Sequence, residues 1–266
     1  MAYVIAQLSD THVGGPHDGG ARLTAAIDTV LAMTRAPDLV LLTGDLTHHG
    51  TVDEWDEVRE RLGVLPMRWE AIPGNHDRAI ADLAGHRATD AGPLRLVLLD
   101  TSHDVFTGDD AAWLDAQLAS SDRPTIIAVH HPPFETGIWW MDCVGLQGKE
   151  LVEAVVRRHP HVIKVLSGHV HRPIQTNWGA CPLWVSPSTS VAVAVDLDPA
   201  HDPAESAEAP AFSVHAYTGA GAGAGIVSHV VPIGPAAARS SIDAAGGADF
   251  VTWAREVQRA RSTVFD

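Results

Sequence analysis

Short apolar runs punctuated by polar turns dominate the first two thirds of the chain. Tyr3–Leu8 is such a run, ends in Ser9-Asp10, and predicts a buried strand. Ala21–Thr34 carries Leu23, Ala26, Ile27, Val30 and Leu31 at helical spacing. Pro37-Asp38 breaks that helix before a second buried strand at Leu39–Leu42. The strand–helix–strand order predicts parallel pairing and an α/β class. Thr51 followed three residues later by Glu54 has the form of a capping box, opening a helix that runs to about Leu62. Met67–Ile72, Leu94–Leu99, Thr125–Val129 and His161–Leu166 predict further strands, with helices at Asp109–Leu118 and Lys149–Arg158. Trp113, Leu114 and Leu118 share one face of the first of these helices.

Beyond Leu183 the pattern changes. Leu183–Val185, Ser190–Val195, Phe212–Tyr217 and Ile226–Ile233 predict strands with no helices between them. Asp196–Pro210 is a predicted loop, and the alternating glycines and alanines of Gly219–Gly225 predict a hairpin or linker. A terminal helix is predicted over Ala248–Arg261. Residues 1–240 are expected to form one domain. Residues 241–266 are expected to form a helical tail that is a candidate oligomer contact.

The polar turns carry the chemistry. Five of them hold metal-type donors: Asp10-Thr11-His12, Gly44-Asp45, Gly74-Asn75-His76-Asp77, His130-His131, and Gly168-His169-Val170-His171. Four follow a predicted strand directly, and His130 closes one. Open α/β sheets place their sites beyond the carboxyl ends of strands, so pattern and chemistry agree. Taken singly, each block also has an ordinary reading: Asp-x-His in a surface turn, an aspartate capping a helix, a packed histidine. In extended backbone, Asp10 and His12 would point the same way, as would His169 and His171, which can reach two neighbouring ions or share one. Oxygen and imidazole donors suit Mn, Fe or Zn. Seven donors exceed one tetrahedral ion and suit two six-coordinate ions that share a carboxylate. Such a pair is suited to in-line displacement at phosphorus. In the third block, Asn75 offers a carbonyl oxygen to metal and an amide to a phosphoryl oxygen. His76 offers a proton or hydrogen bond, and Asp77 is expected to orient His76. His131, on the opposite strand face from His130, is left to packing or support.

Charge narrows the substrate. The net charge is −15, from 33 acidic and 18 basic residues. A surface of that sign repels a nucleic-acid polymer. Two divalent ions reverse the sign locally: about +4 from the ions against about −3 from two aspartates and a hydroxide leaves a site suited to a diester monoanion. No basic leader with an apolar stretch opens the chain and no apolar run reaches membrane-spanning length, so no membrane partner and a cytoplasmic location are expected. Pairing of Cys143 with Cys181 stays open. His17 and His48 lie near the donor blocks in sequence. Trp139-Trp140 is either an exposed pair that stacks on a substrate ring or a packed lid.

With these residues in hand, the sequence resembles the calcineurin-like metallophosphoesterases, and within them the class III cyclic-nucleotide phosphodiesterases and the glycerophosphodiesterases. The five blocks carry the resemblance, with Leu99-Asp100-Thr101-Ser102, His130-His131-Pro132-Pro133 and Ser186-Pro187-Ser188-Thr189 in support. It implies a four-layer α/β/β/α sandwich with two mixed β-sheets. It implies one ion on Asp10, His12, Asp45 and His171 and another on Asp45, Asn75, His130 and His169, bridged by Asp45 and an attacking hydroxide. Asn75, His76 and His171 are the implied substrate contacts, with His76 protonating the leaving oxygen. Phosphoprotein phosphatases of this superfamily carry Gly-Asp-x-Val-Asp-Arg-Gly, whereas this chain has Gly44-Asp45-Leu46-Thr47-His48-His49-Gly50. The missing arginine favours diesters over dianionic monoesters. The expected activity is hydrolysis of a small phosphodiester, a 3',5'-cyclic nucleotide such as cAMP first and a glycerophosphodiester second. A DNA nuclease and a metal-free scaffold are the remaining alternatives.

Overall fold

A computed structural model describes residues 2–219, 225–234 and 248–262 of the protein. In chain order its elements are β1 (Tyr3–Leu8), α1 (Gly19–Leu31), β2 (Leu39–Thr43), α2 (Val52–Leu62), β3 (Arg68–Ile72), β4 (Arg87–Ala91), β5 (Leu94–Leu99), α3 (Gly108–Ala119) and β6 (Thr125–Val129). There follow α4 (Trp139–Cys143), α5 (Lys149–Val156), β7 (Val162–Ser167), β8 (Ile174–Trp178), β9 (Cys181–Val185), β10 (Ala192–Val193), β11 (Glu205–Ser206), β12 (Ala211–Tyr217), β13 (Ile226–Pro232) and α6 (Ala248–Ser262).

Two mixed sheets result. One has the order β13-β12-β1-β2-β3 and the other β4-β5-β6-β7-β9-β8. β1, β2 and β3 are mutually parallel, as are β5, β6, β7 and β9, while β12, β13, β4 and β8 run antiparallel to their neighbours. The reason lies in β2, all five of whose residues are buried. Successive side chains alternate faces. Val40 and Leu42 therefore meet α1 and α2 through Leu23, Ile27, Val58 and Leu62, while Leu39 and Leu41 meet Leu96, Leu98 and Ile126 of the second sheet. The second sheet buries its outer face under Leu114, Leu118, Val152 and Val155 of α3 and α5. These layers are the α/β/β/α sandwich. The capping box at Thr51 and Glu54 is present.

Several details depart from the sequence reading. β4 and β8 are strands that apolar alternation did not reveal, and the Trp139-Trp140 loop folds one helical turn. Of Ser190–Val195 only Ala192–Val193 pairs, with Glu205–Ser206 inside the predicted 196–210 loop. The interior of the Gly219–Gly225 linker lies outside the described residues. Cys143 and Cys181 are both free, the first exposed and the second buried. Residues 1–234 form one compact unit, and 235–266 a second, of which the described part is α6. Among the described residues no helix is long and apolar enough to cross a membrane.

Candidate metal centre

Every predicted donor lies just past the carboxyl end of a strand: Asp10 and His12 after β1, Asp45 after β2, Asn75 after β3, His130 after β6, His169 and His171 after β7. The first three of these strands belong to one sheet and the last two to the other. The donors do not sit in extended backbone. Asp10, His12, Asp45, His169 and His171 have φ of 54°, 46°, 51°, 69° and 56°. Left-handed backbone costs a residue with a Cβ about 1 kcal/mol or more. The expectation that His12 aligns with Asp10 through an extended i, i+2 pair is therefore corrected: sharp turns at the sheet edge aim these side chains. Interlocked backbone hydrogen bonds hold the turns, Asp10 N to Gly44 O and His12 N to Asp45 O at 3.0 Å each and Gly168 N to His130 O at 3.0 Å. Two glycines permit the approach. A Cβ on Gly44 would lie 2.3 Å from His130 Nδ1, and one on Gly74 would lie 2.2 Å from Asp45 Oδ1.

The side chains converge. Asp45 Oδ2 lies 3.8 Å from His12 Nε2 and 3.4 Å from His130 Nε2. His171 Nε2 lies 3.5 Å from Asp10 Oδ1 and 3.2 Å from His12 Nε2. Asn75 Oδ1 lies 3.3 Å from His130 Nε2. Overlapping sets of donors, among them Asp10 with Asp45 and His130, and Asp10 with His12 and His171, come within 4.8 Å of one another.

Hydrogen bonding fixes what these groups can do. His130 Nδ1 faces Thr43 O at 2.7 Å, and His171 Nδ1 faces Val191 O at 2.8 Å. A carbonyl only accepts, so each Nδ1 carries the hydrogen. In the neutral rings Nε2 is then a lone pair, and it points at carboxylate oxygens. Among the described residues, His169 Nε2 is buried with no hydrogen-bond partner. Opposed acceptors and an orphaned ring nitrogen are an arrangement that a cation completes, and ring N–H groups anchored on carbonyls are the usual support of metal-bound histidines. The residues present therefore fit a divalent metal centre.

Electrostatics divides the set. Burial alone would raise the Asp45 carboxyl, but the charge and hydrogen bond of His130 hold it well below the carboxylate range. Burial would lower His130, yet Asp45 and then Asp10 push it up to about 9. Burial outweighs Asp45 at His12, which falls to about 3. Burial, then the neighbouring His131 and His130, keep His169 far below an ordinary histidine. The carboxylates thus favour a proton on His130, while burial disfavours one on His12 and His169.

Two neighbours differ from expectation. Asp77 does not touch His76. Its carboxylate accepts from Leu46 N, Thr47 N, Thr47 Oγ1 and Gly74 N at 2.6 to 3.0 Å, locking the Asp45 turn to the Asn75 turn. His76 is oriented instead by His48, whose carbonyl accepts from His76 Nδ1 at 2.6 Å and whose ring stacks on it 5.2 Å away. His131 is fully buried, takes Thr101 Oγ1 at 3.0 Å, and packs against His169 at 4.4 Å between ring centroids.

A cleft of about 520 Å³ opens over the donors. His12, Asp45, Asn75, His76, His169 and His171 form its floor, and Trp140, Met141, Val191 and Val193 form an apolar wall. Asp104 and Glu205 also line it, and His17 Nε2 reaches Glu205 at 3.0 Å. Sequence reasoning passed over Asp104 and Glu205. Asp104 carries one signal, φ of 62°, that only coordinates reveal.

Comparison with known proteins points one way. The pattern of the calcineurin-like phosphoesterase family matches residues 3–173. A protein of Pseudomonas aeruginosa named 3',5'-cyclic adenosine monophosphate phosphodiesterase CpdA is 31% identical over 217 residues, 71% of this chain and 76% of that one. Glycerophosphodiester phosphodiesterase GpdQ of Enterobacter lignolyticus is 28% identical over 214 residues, 70% of this chain and 77% of that one. The crystal structure of a dimetal phosphatase from Danio rerio superposes with a TM-score of 0.58 at 16% identity, covering 87% of this chain and 99% of the other.

Proposed function

The chain belongs to the calcineurin-like phosphoesterase family, and from that premise we propose that it hydrolyses small phosphodiesters at a centre of two divalent metal ions, with 3',5'-cyclic nucleotides such as cAMP its first substrate class. One observation carries the reading: a single carboxylate oxygen, Asp45 Oδ2, lies between His12 Nε2 and His130 Nε2, so two donor sets share it. We assign one ion to Asp10, His12, Asp45 and His171 and the other to Asp45, Asn75, His130 and His169. Mn, Fe and Zn all suit these donors. Bound there, the ions supply charge neutralisation and a lowered pKa for water.

The chain's own residues do the remainder. Thr43 O and Val191 O hold the rings of His130 and His171 in one tautomer. The Asn75 amide can donate to a phosphoryl oxygen in the transition state, where such a donor counts most. His76 spends its Nδ1 hydrogen on His48 O, so its Nε2 can give a proton to the departing oxygen only from the imidazolium form. The Trp140 wall suits a planar base. Activity is placed in residues 1–240, operating in the cytoplasm, with 241–266 accessory.

Hydrolysis of bis-p-nitrophenyl phosphate with added Mn tests the reading, and absence of metal-dependent turnover defeats it. A glycerophosphodiester is the second reading, favoured by the 28% identity to GpdQ of Enterobacter lignolyticus over 70% of this chain. Comparing kcat/KM for cAMP and glycerophosphocholine decides between them.

A further inference from the structure

The cleft has carboxylates on its wall and, among the described residues lining it, neither lysine nor arginine. Two guanidinium groups are anchored on lining residues without lining the cleft themselves: Arg172, which donates to Val193 O and pairs with Glu208, and Arg78, which sits beside the phosphoryl contact. Arg78 Nε donates to the carbonyl of Asn75 at 3.1 Å, and the Asn75 side chain reaches the metal donors through His130. Arg78 is thus anchored on the very residue that meets the phosphoryl group in the reading above. It does not line the cleft, because its Nη2 is held by Asp104 Oδ2 at 3.0 Å. Asp104 does line the cleft. Its other oxygen lies 3.1 Å from His131 Nε2. Its turn is pinned by Asp104 N to Thr101 O and by Gln147 N to Asp104 O, both at 2.9 Å. Arg78 is 45% exposed and Asp104 36%. An ion pair that exposed contributes little to stability. A freed guanidinium, by contrast, binds phosphate oxygens two at a time and favours a dianion over a monoanion.

We propose that Asp104 is the specificity-determining residue of the cleft: by holding Arg78 aside it denies a dianionic phosphomonoester its counter-charge, so diesters are cleaved and their monoester products leave. The inference rests on the phosphodiesterase reading. Monoester hydrolysis joins a water oxygen to phosphorus and breaks the ester P–O bond. The alcohol departs with a proton, and inorganic phosphate remains.

The test uses the full chain loaded with Mn, in four forms: wild type, Asp104→Asn, Arg78→Met, and both together. Asparagine keeps the size of aspartate and tolerates left-handed backbone, so the turn persists. Two quantities are read at pH 8, where inorganic phosphate is a dianion: its binding constant by calorimetry, and the ratio of p-nitrophenyl phosphate to bis-p-nitrophenyl phosphate turnover. Asp104→Asn is expected to tighten phosphate at least tenfold and raise the ratio at least tenfold, and the added Arg78→Met to abolish both gains. Unchanged phosphate affinity in Asp104→Asn overturns the inference. So does a gain that survives in the double variant, or one that Arg78→Met alone reproduces, since that is the signature of two loosened loops. Absence of diester turnover in the wild type sinks the phosphodiesterase reading instead, and the phosphate titration still judges Asp104.

Discussion

Two buried polar clusters lie within this sandwich, and they are built on opposite rules. Between the sheets, Lys164 Nζ donates to Ser228 Oγ, which faces His215 Nδ1 at 2.7 Å, and His215 Nε2 faces Gln7 Oε1 at 2.9 Å. Gln7 Nε2 donates to Thr43 Oγ1 and Ser167 O at 2.9 Å each, and Thr43 Oγ1 donates to Ser9 Oγ at 2.8 Å. Donors and acceptors alternate along that chain with one consistent set of hydrogens. The candidate metal centre, at the adjoining strand ends, does the reverse. It crowds carboxylates and imidazoles into one cluster, leaves His169 Nε2 without a hydrogen-bond partner among the described residues, and keeps five donors in left-handed backbone. A satisfied network holds a fold in place. An unsatisfied one stores free energy that a ligand releases. Gln7 joins the two, because the strand ends it ties together carry Asp45 and His169.

The contrast predicts that substitutions in the two clusters separate turnover from stability. Asn75→Ala is expected to lower kcat by about 10²–10³, since it removes a donor to the transition state. Its unfolding free energy should change by less than about 1 kcal/mol, because the side chain is half-buried at the cleft. Stopped assays with bis-p-nitrophenyl phosphate and a urea titration measure the two. Gln7→Ala should behave oppositely, costing about 3 kcal/mol of stability by stranding the buried partners of the amide, as read by the urea midpoint of the metal-free protein. Were Gln7→Ala as stable as the parent, the network would not be the structural element claimed.

A smaller effect is expected at His76. His76→Ala should retain the metals, measured by elemental analysis, and lose about 10² in kcat for alkyl leaving groups and much less for p-nitrophenolate, which needs no proton. Equal losses would remove His76 as the proton donor. The smallest effect is a pH slope. Burial pushes the Lys164 ammonium down to about 8, while in the unfolded chain a lysine titrates near roughly 10.4. Between those values the unfolded state holds more protons, so this group's contribution to stability rises with pH across that window. Urea midpoints from pH 7.5 to 10 should show the rise, and Lys164→Met should flatten it.

Much of this was legible in the chain. The fully apolar β2, the helical spacing of α1 and the Thr51–Glu54 box each follow from local physics that a single segment contains. The donor blocks were legible because each follows an apolar run. β4 was not, since Arg87–Ala91 has no alternating apolar face and forms by pairing with β5. Nor was α4, which is too short for a helical period to show. Asp77 was misread because adjacency to His76 in sequence suggested contact, whereas its turn points the carboxylate back at Leu46, Thr47 and Gly74.

The sequence alone determined which residue types stand at which strand ends, and hence the family and the metal chemistry, because strand periodicity and donor spacing are local properties. Tertiary structure alone decided which atoms face one another. The left-handed turns, the tautomers of His130 and His171, and the capture of Arg78 by Asp104 all arise from loops of different strands meeting at the sheet edges. No single segment carries that geometry.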